Sequence, residues 1–284
     1  MCYDVSYLTK KHKKYAEHIG ENSSEMDKLE KQLEVFVKSE GPVYHTTAFD
    51  HRKLPVLTSL NPKEFEFYHW GLIPGFVKDL DQYNQRYTAR YLNSRIETVF
   101  DEKMFNAKLN RDLANPFYKS ALERRCIVML DGYFDWHWQG KKSYNFHIRR
   151  TDDEPMFIAA IWRSWQSKGG SERRDTVSLI TTDANPLCHK VHNRPKASEG
   201  PRQLAMLDRA MKEAWLDVDL TPEQLQKAVK VFPETQLEAF PVKKLFEQHG
   251  RSRVPLNDPE CLIEVNHPEL SFEKPDESSQ TSLF

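Results

Sequence analysis

The chain has 284 residues, of which 39% are hydrophobic and 12% aromatic, with six Trp and a formal net charge of −1. That is enough apolar material for one large domain or two modest ones. No run approaches the ~20 apolar residues of a membrane span, and the near-zero net charge does not by itself advertise a nucleic-acid binder.

Apolar periodicity predicts a first amphipathic helix over 24–37, capped by Ser24, with Met26, Leu29, Leu33 and Phe36 on one face. Short β-rich runs follow at 43–48, 54–58 and 65–70. Arg125 to Leu130 reads as a compact apolar strand entering an Asp131-Gly132 turn. Further strands are expected at Tyr144 to Ile148, Met156 to Ile161 and Val177 to Thr182. Leu204, Leu207, Met211 and Trp215 suggest a second amphipathic helix, and Thr221-Pro222-Glu223 opens a third with Pro at its first position. Strands dominate the middle without βαβ regularity. This pattern predicts one α+β domain over residues 1–272, with a mostly antiparallel, barrel-like β core and peripheral helices. Residues 273–284 read as a flexible polar tail.

The first residues are polar (Lys10, Lys11, Lys13, Lys14), which argues against a secretory segment. Cys2, Cys126, Cys188 and Cys261 show neither disulfide-framework nor CxxC spacing, so a reducing cytoplasm is the economical location. Cys126, in an apolar strand, reads as an inert core thiol. Cys188, His189 and His192 lack the second pair that a zinc site needs. No metal or cofactor is expected.

Cys2 carries more information. Removing the initiator Met would leave an α-amine and a thiol on one carbon, groups that ordinarily titrate at about 7.7–8.0 and about 8.5. Such a pair can condense with an aldehyde and close to a thiazolidine, and the thiolate alone can attack carbonyls. Four later segments supply polar partners: Trp70-Gly71-Leu72-Ile73-Pro74, Asn93-Ser94-Arg95-Ile96-Glu97-Thr98, Asp131-Gly132-Tyr133-Phe134-Asp135-Trp136 and Val191-His192-Asn193-Arg194-Pro195. In the second, strand alternation would aim Asn93, Arg95 and Glu97 to one side. Taken singly, each has a structural reading: Trp70 and Trp136 as core, Asp135 as a turn residue, His192 as a satisfied histidine, and Arg95 with Glu97 as a surface pair.

In this order behind Cys2, the segments resemble the SRAP family (SOS response-associated peptidase) over nearly the whole folded chain, to about Glu264. The resemblance implies covalent capture of abasic sites in single-stranded DNA by Cys2, as a thiazolidine crosslink. It implies that Asn93 holds the N-terminal group and sugar, that Asp135 is the acid/base carboxylate, and that His192 assists proton transfer. Arg95 and Arg194 would contact phosphates, Thr182 would line the pocket, and Trp70 and Trp136 would stack bases or wall the site. Arg86 and Arg90, with Lys78, Tyr87 and Tyr91, would form a DNA-facing loop. Two departures stand out: Tyr3-Asp4 where the family has Gly-Arg, which would set a phosphate-repelling Asp4 beside the nucleophile, and Asp135 where the family has the longer Glu. Two other readings are a self-processing cysteine peptidase using Cys2 and His192, of hydrolase rather than lyase class, and a non-covalent module for modified DNA. The last five residues, through Gln280, Leu283 and Phe284, resemble a sliding-clamp docking peptide.

Overall fold

The computed structural model describes residues 2–9, 12–106, 111–194, 200–250 and 252–272. The tail with Gln280, Leu283 and Phe284 lies outside the described residues. In chain order the strands are β1 (Asp4–Tyr7), β2 (Val43–Thr47), β3 (Lys53–Thr58), β4 (Glu66–Trp70), β5 (Asn93–Arg95), β6 (Lys103–Asn106), β7 (Arg111–Ala114) and β8 (Arg125–Leu130). They continue with β9 (Gly132–Gln139), β10 (Lys142–Arg150), β11 (Met156–Gln166), β12 (Arg173–Asp183), β13 (Arg202–Leu204), β14 (Leu237–Val242), β15 (Phe246–His249) and β16 (Ser252–Pro255). Helices α1 (His12–Glu17), α2 (Ser23–Glu40), α3 (Leu80–Arg86), α4 (Tyr118–Glu123), α5 (Pro186–Val191), α6 (Arg209–Leu216) and α7 (Pro222–Ala228) lie around them.

Strands β11, β8, β3, β4 and β12 are hydrogen-bonded in that order, and β11 also pairs with β12, so these five close into a barrel. Closure removes the exposed edges that an open sheet would present. All contacts in the ring are antiparallel except β4 with β12. The continuous apolar run of β8 is buried at all six positions. Arg125 at its head is buried too. Its guanidinium donates to the carbonyls of Trp215, Leu122 and Asp217, which stand in for lost water. It is therefore a structural tie within the core.

Strand β12 outlasts the barrel. Beyond Leu179 it carries β5 in parallel on one side and β13 antiparallel on the other, with Leu179 opposite Asn93 and Thr181 opposite Leu204. A second sheet runs β14-β10-β9-β1-β2. The fold is thus the α+β, barrel-centred single domain expected.

Two helix expectations need correction. Helix α2 begins a residue earlier and is capped by Asn22, whose Oδ1 accepts from the Glu25 amide at 3.0 Å, not by Ser24. The second amphipathic helix starts only at Arg209, because Leu204 belongs to β13 and Asp208 caps the helix through the Met211 amide.

Candidate active site

Cys2 precedes β1, and the β1–β9 register sets Asp4 opposite Phe134, which brings Asp135 level with the start of the chain. The Cys2 thiol lies 3.9 Å from Asp135 Oδ2. The same oxygen is 2.8 Å from Nδ1 of His192, and Oδ1 accepts from the Trp136 amide at 2.8 Å. Thiol and imidazole therefore share one carboxylate oxygen. Burial, and then the Asp135 charge, push the Cys2 thiol well above its usual range. It is held as S–H, with the carboxylate as its nearest acceptor.

His192 is placed by the end of α5. Asn185 caps that helix through the Cys188 amide, Pro186 occupies its first turn, and the His192 amide closes it on the Cys188 carbonyl. Two contacts pin this end to β9. His137 Nδ1 meets the Lys190 carbonyl at 2.9 Å, and the Asn193 side-chain amide accepts from Trp138 N at 2.6 Å and donates to Trp138 O at 2.9 Å. With Nδ1–H directed at the carboxylate, Nε2 is the ring's basic nitrogen. Cys188 is buried beneath, 3.1 Å from the Tyr133 hydroxyl.

Asn93 approaches from the other side. Its Nδ2 donates to the Cys2 carbonyl at 2.7 Å, while its buried Oδ1 has no hydrogen-bond partner among the described residues. The Trp-Gly-Leu-Ile-Pro segment explains its position. Trp70 Nε1 donates to Leu92 O at 3.0 Å and the Leu72 amide donates to Tyr91 O at 3.0 Å. The turn needs glycine: Gly71 has φ +109°, and a Cβ there would meet the Tyr83 hydroxyl at 2.7 Å. From the opposite flank Arg202 grips Glu97 with both outer nitrogens, at 3.0 and 2.8 Å, and Asp183 at 2.9 Å.

Asn93 opens into a cavity of about 410 Å³ lined also by Arg90, Ser94, Arg95, Lys103 and Phe117. Cys2, Asn93, Asp135 and His192 thus come together, and Arg95 and Arg90 line the cavity on the Asn93 side. Arg194 is exposed two residues past His192, and Arg86 is exposed on α3. Trp136 is half-buried and stacks on Phe246 at 6.5 Å, with Arg253 over that ring at 4.4 Å. Thr182 is buried within β12, paired with Gln203.

Several expectations fail on geometry. Trp70 is 0% exposed, so it cannot stack a base; it positions Leu92 instead. Glu97 does not share a strand face with Asn93 and Arg95, because β5 ends at Arg95; its partner is Arg202. Asp4 does not face a phosphate. It is buried 2.9 Å from His45 Nε2, whose Nδ1 meets Leu256 O at 2.9 Å. Burial raises the Asp4 carboxyl despite that contact. The shorter Asp135 reaches His192 directly, without a bridging water. Sequence reading missed Tyr133, although it lies inside a segment already singled out. It missed Arg202 because a lone Arg carries no local signal.

A closed barrel beside a second sheet, whose β1 and β9 bring a thiol and a carboxylate against the imidazole at the end of α5, defines the molecule's class. A family model, SOS response associated peptidase (SRAP), matches residues 1–248, and the chain belongs to that family. It is 28% identical over 196 residues to "Abasic site processing protein YMR114C" of Saccharomyces cerevisiae, covering 63% of this chain and 43% of that one. It is 24% identical to "Abasic site processing protein HMCES" of Gallus gallus (69% and 56% covered) and 25% identical to "Abasic site processing protein YedK" of Escherichia coli (62% and 66%). The chain spans about half the length of the first two. A crystal structure of a Bacteroides thetaiotaomicron protein superposes with a TM-score of 0.69 at 26% identity, covering 85% of this chain and 92% of that one.

Proposed function

We propose that this protein handles abasic-site damage in DNA by capturing the lesion covalently on Cys2. Relatives named as abasic site processing proteins support the substrate. The observation that carries the chemistry is the shared oxygen of Asp135, 3.9 Å from the Cys2 thiol and 2.8 Å from His192. A ring-opened abasic sugar presents an aldehyde at C1′. With Met1 removed, the Cys2 amine adds to that carbon and water leaves, giving an imine. The sulfur then bonds to the same carbon. The thiol proton passes to Asp135, and the imine nitrogen gains one proton as the C=N π bond becomes a lone pair. The product is a thiazolidine. His192, hydrogen-bonded to Asp135, exchanges protons with solvent and assists sugar ring opening. Asn93 fixes the Cys2 backbone beside the cavity that Asn93 itself lines, and its Oδ1 is an acceptor for the sugar. Arg95 and Arg194 hold flanking phosphates.

The peptidase reading is less favoured. A thiolate–imidazolium pair needs His192 against the sulfur, whereas Asp135 stands between them and raises the thiol. A non-covalent module leaves the assembly around Cys2 unexplained. The test is incubation with single-stranded oligonucleotides with and without an abasic site, followed by a denaturing gel. A covalent band requiring both Cys2 and the lesion supports capture, and its absence from correctly processed protein rejects it.

A further inference from the structure

The chain leaving Cys2 is fastened at three successive residues. The Cys2 carbonyl accepts from Asn93 Nδ2 at 2.7 Å, the Tyr3 carbonyl accepts from the Ala48 amide at 2.6 Å, and the Asp4 carboxyl lies 2.9 Å from His45 Nε2. The third contact reaches furthest. His45 stands on β2, the edge strand of its sheet, and its Nδ1 lies 2.9 Å from the Leu256 carbonyl. Leu256 belongs to a strap that closes this edge. Asn257 Oδ1 accepts from the Tyr44 and His45 amides at 2.7 and 3.3 Å, and its Nδ2 donates to Pro42 O at 3.2 Å. Lys243 anchors the next residues through Asp258 and Glu260. Leu256 lies beyond residues 1–248, so the contact joins the nucleophile's strand to a segment outside the family match.

The partners dictate how many protons the contact holds. A carbonyl only accepts, so His45 Nδ1 carries hydrogen. The 2.9 Å contact from Nε2 to Asp4 then needs a single proton between them. That proton sits on either partner, as imidazolium with carboxylate or as imidazole with carboxylic acid, and the pair is neutral both ways. Without it a lone pair faces a carboxylate and the contact breaks. The two side chains are 0% and 3% exposed, so water cannot take its place. The rings of Phe134 and Phe246 wall His45, each edge to face, at 5.3 and 5.1 Å. Burial raises the Asp4 carboxyl, and the Asp135 and Asp50 charges add to that. On the far side Arg253 lies over the Phe246 ring, and Lys243 is paired with Asp258 and Glu260.

We infer that Asp4 and His45 are positioning residues for the reaction of Cys2: one shared proton clamps the strand carrying the nucleophile to the C-terminal strap at Leu256. The inference rests on the capture reading for the reaction it serves. It makes a remote strap part of what sets the rate. It also gives a reason for an Asp two residues from a nucleophile that must meet a polyanion, since the clamped pair carries no net charge.

The test follows capture of a single-stranded abasic oligonucleotide in single turnover at saturation, where unfolded protein lowers the amplitude and not the rate constant. Asp4→Asn keeps a hydrogen bond, its amide donating to neutral His45, whereas Asp4→Ala removes it. Asn257→Ala loosens the strap from an exposed position, with β2 between it and β1. Asp4→Ala slows capture about tenfold and Asn257→Ala about threefold, while Asp4→Asn stays within about twofold of wild type. In the double variant Asn257→Ala adds nothing to Asp4→Ala, because both act through one clamp. Every variant binds a non-reactive tetrahydrofuran oligonucleotide as wild type does. An unchanged rate constant in Asp4→Ala, an Asp4→Asn as slow as Asp4→Ala, or independent effects in the double variant overturns the inference. Amide hydrogen exchange of β1 reads the clamp without DNA: it quickens in Asp4→Ala and Asn257→Ala but not in Asp4→Asn. If no protein gives a Cys2-dependent band, the capture reading falls; exchange that is equal in all the variants removes the clamp.

Discussion

At the residue scale the account turns on Asp135. It is the only group touching both the thiol and the imidazole in the described site, and a carboxamide cannot take up a proton. Asp135→Asn is expected to slow crosslink formation about 100-fold, the lower end of what a positioned acid–base group contributes, with the rate followed by quenched gel time courses. Asn93→Ala should leave the thiol in place but free the Cys2 backbone, lowering the rate with little loss of DNA affinity. The thiol itself is testable. Burial and Asp135 raise it, so alkylation of the Cys2 peptide, mapped by mass spectrometry, should climb at a pH above the ~8.5 of a free cysteine. A midpoint at or below that value would mean a preformed thiolate, and would favour the peptidase reading.

At the element scale, the ends of α5 and β5 deliver His192 and Asn93. The buried Arg202 holds the turn after β5 through Glu97 and Asp183. Arg202→Met should cost about 1–2 kcal/mol, since the Glu97 and Asp183 carboxylates left behind are exposed enough to hydrate, read as a shift in urea unfolding, and should weaken crosslinking through Asn93. Much of this was legible in the sequence. The apolar run of β8 announces itself, and Cys2, Asn93, Asp135 and His192 stand in polar segments that apolar periodicity does not claim. What stayed hidden depends on distant pairing. Leu204 and Leu207 share helical spacing with Met211 and Trp215, yet Leu204 pairs with Thr181 of β12. Asp4 reads as a surface charge until β2 brings His45 against it. Trp70, read singly as core, is core; only the stacking role that the resemblance implied for it fails.

At the scale of the whole molecule, charge and proton linkage make two expectations. A protein of net charge −1 can bind single strands only through local cations, so the slope of log K against log salt should be about −0.7 for each phosphate neutralised. Arg95→Ala should make it shallower by about that amount. Stability should fall in alkali. Burial raises the Cys2 thiol, and pushes Cys188 to about 12. Above the ~8.5 of the unfolded chain, the native state therefore keeps protons that the unfolded state has released. This contribution is intact below that pH and is lost as pH rises through the folded values. The urea midpoint should drop between pH 8 and pH 10, and Cys188→Ala should flatten the drop.

The most direct measurement of covalent capture joins intact mass of the free protein to a denaturing gel with single-stranded oligonucleotides, with and without one abasic site, comparing wild type with Cys2→Ala. The account expects protein lacking Met1 and a shifted band that needs both the lesion and Cys2. No band from protein lacking Met1, or an equal band from Cys2→Ala, would contradict it.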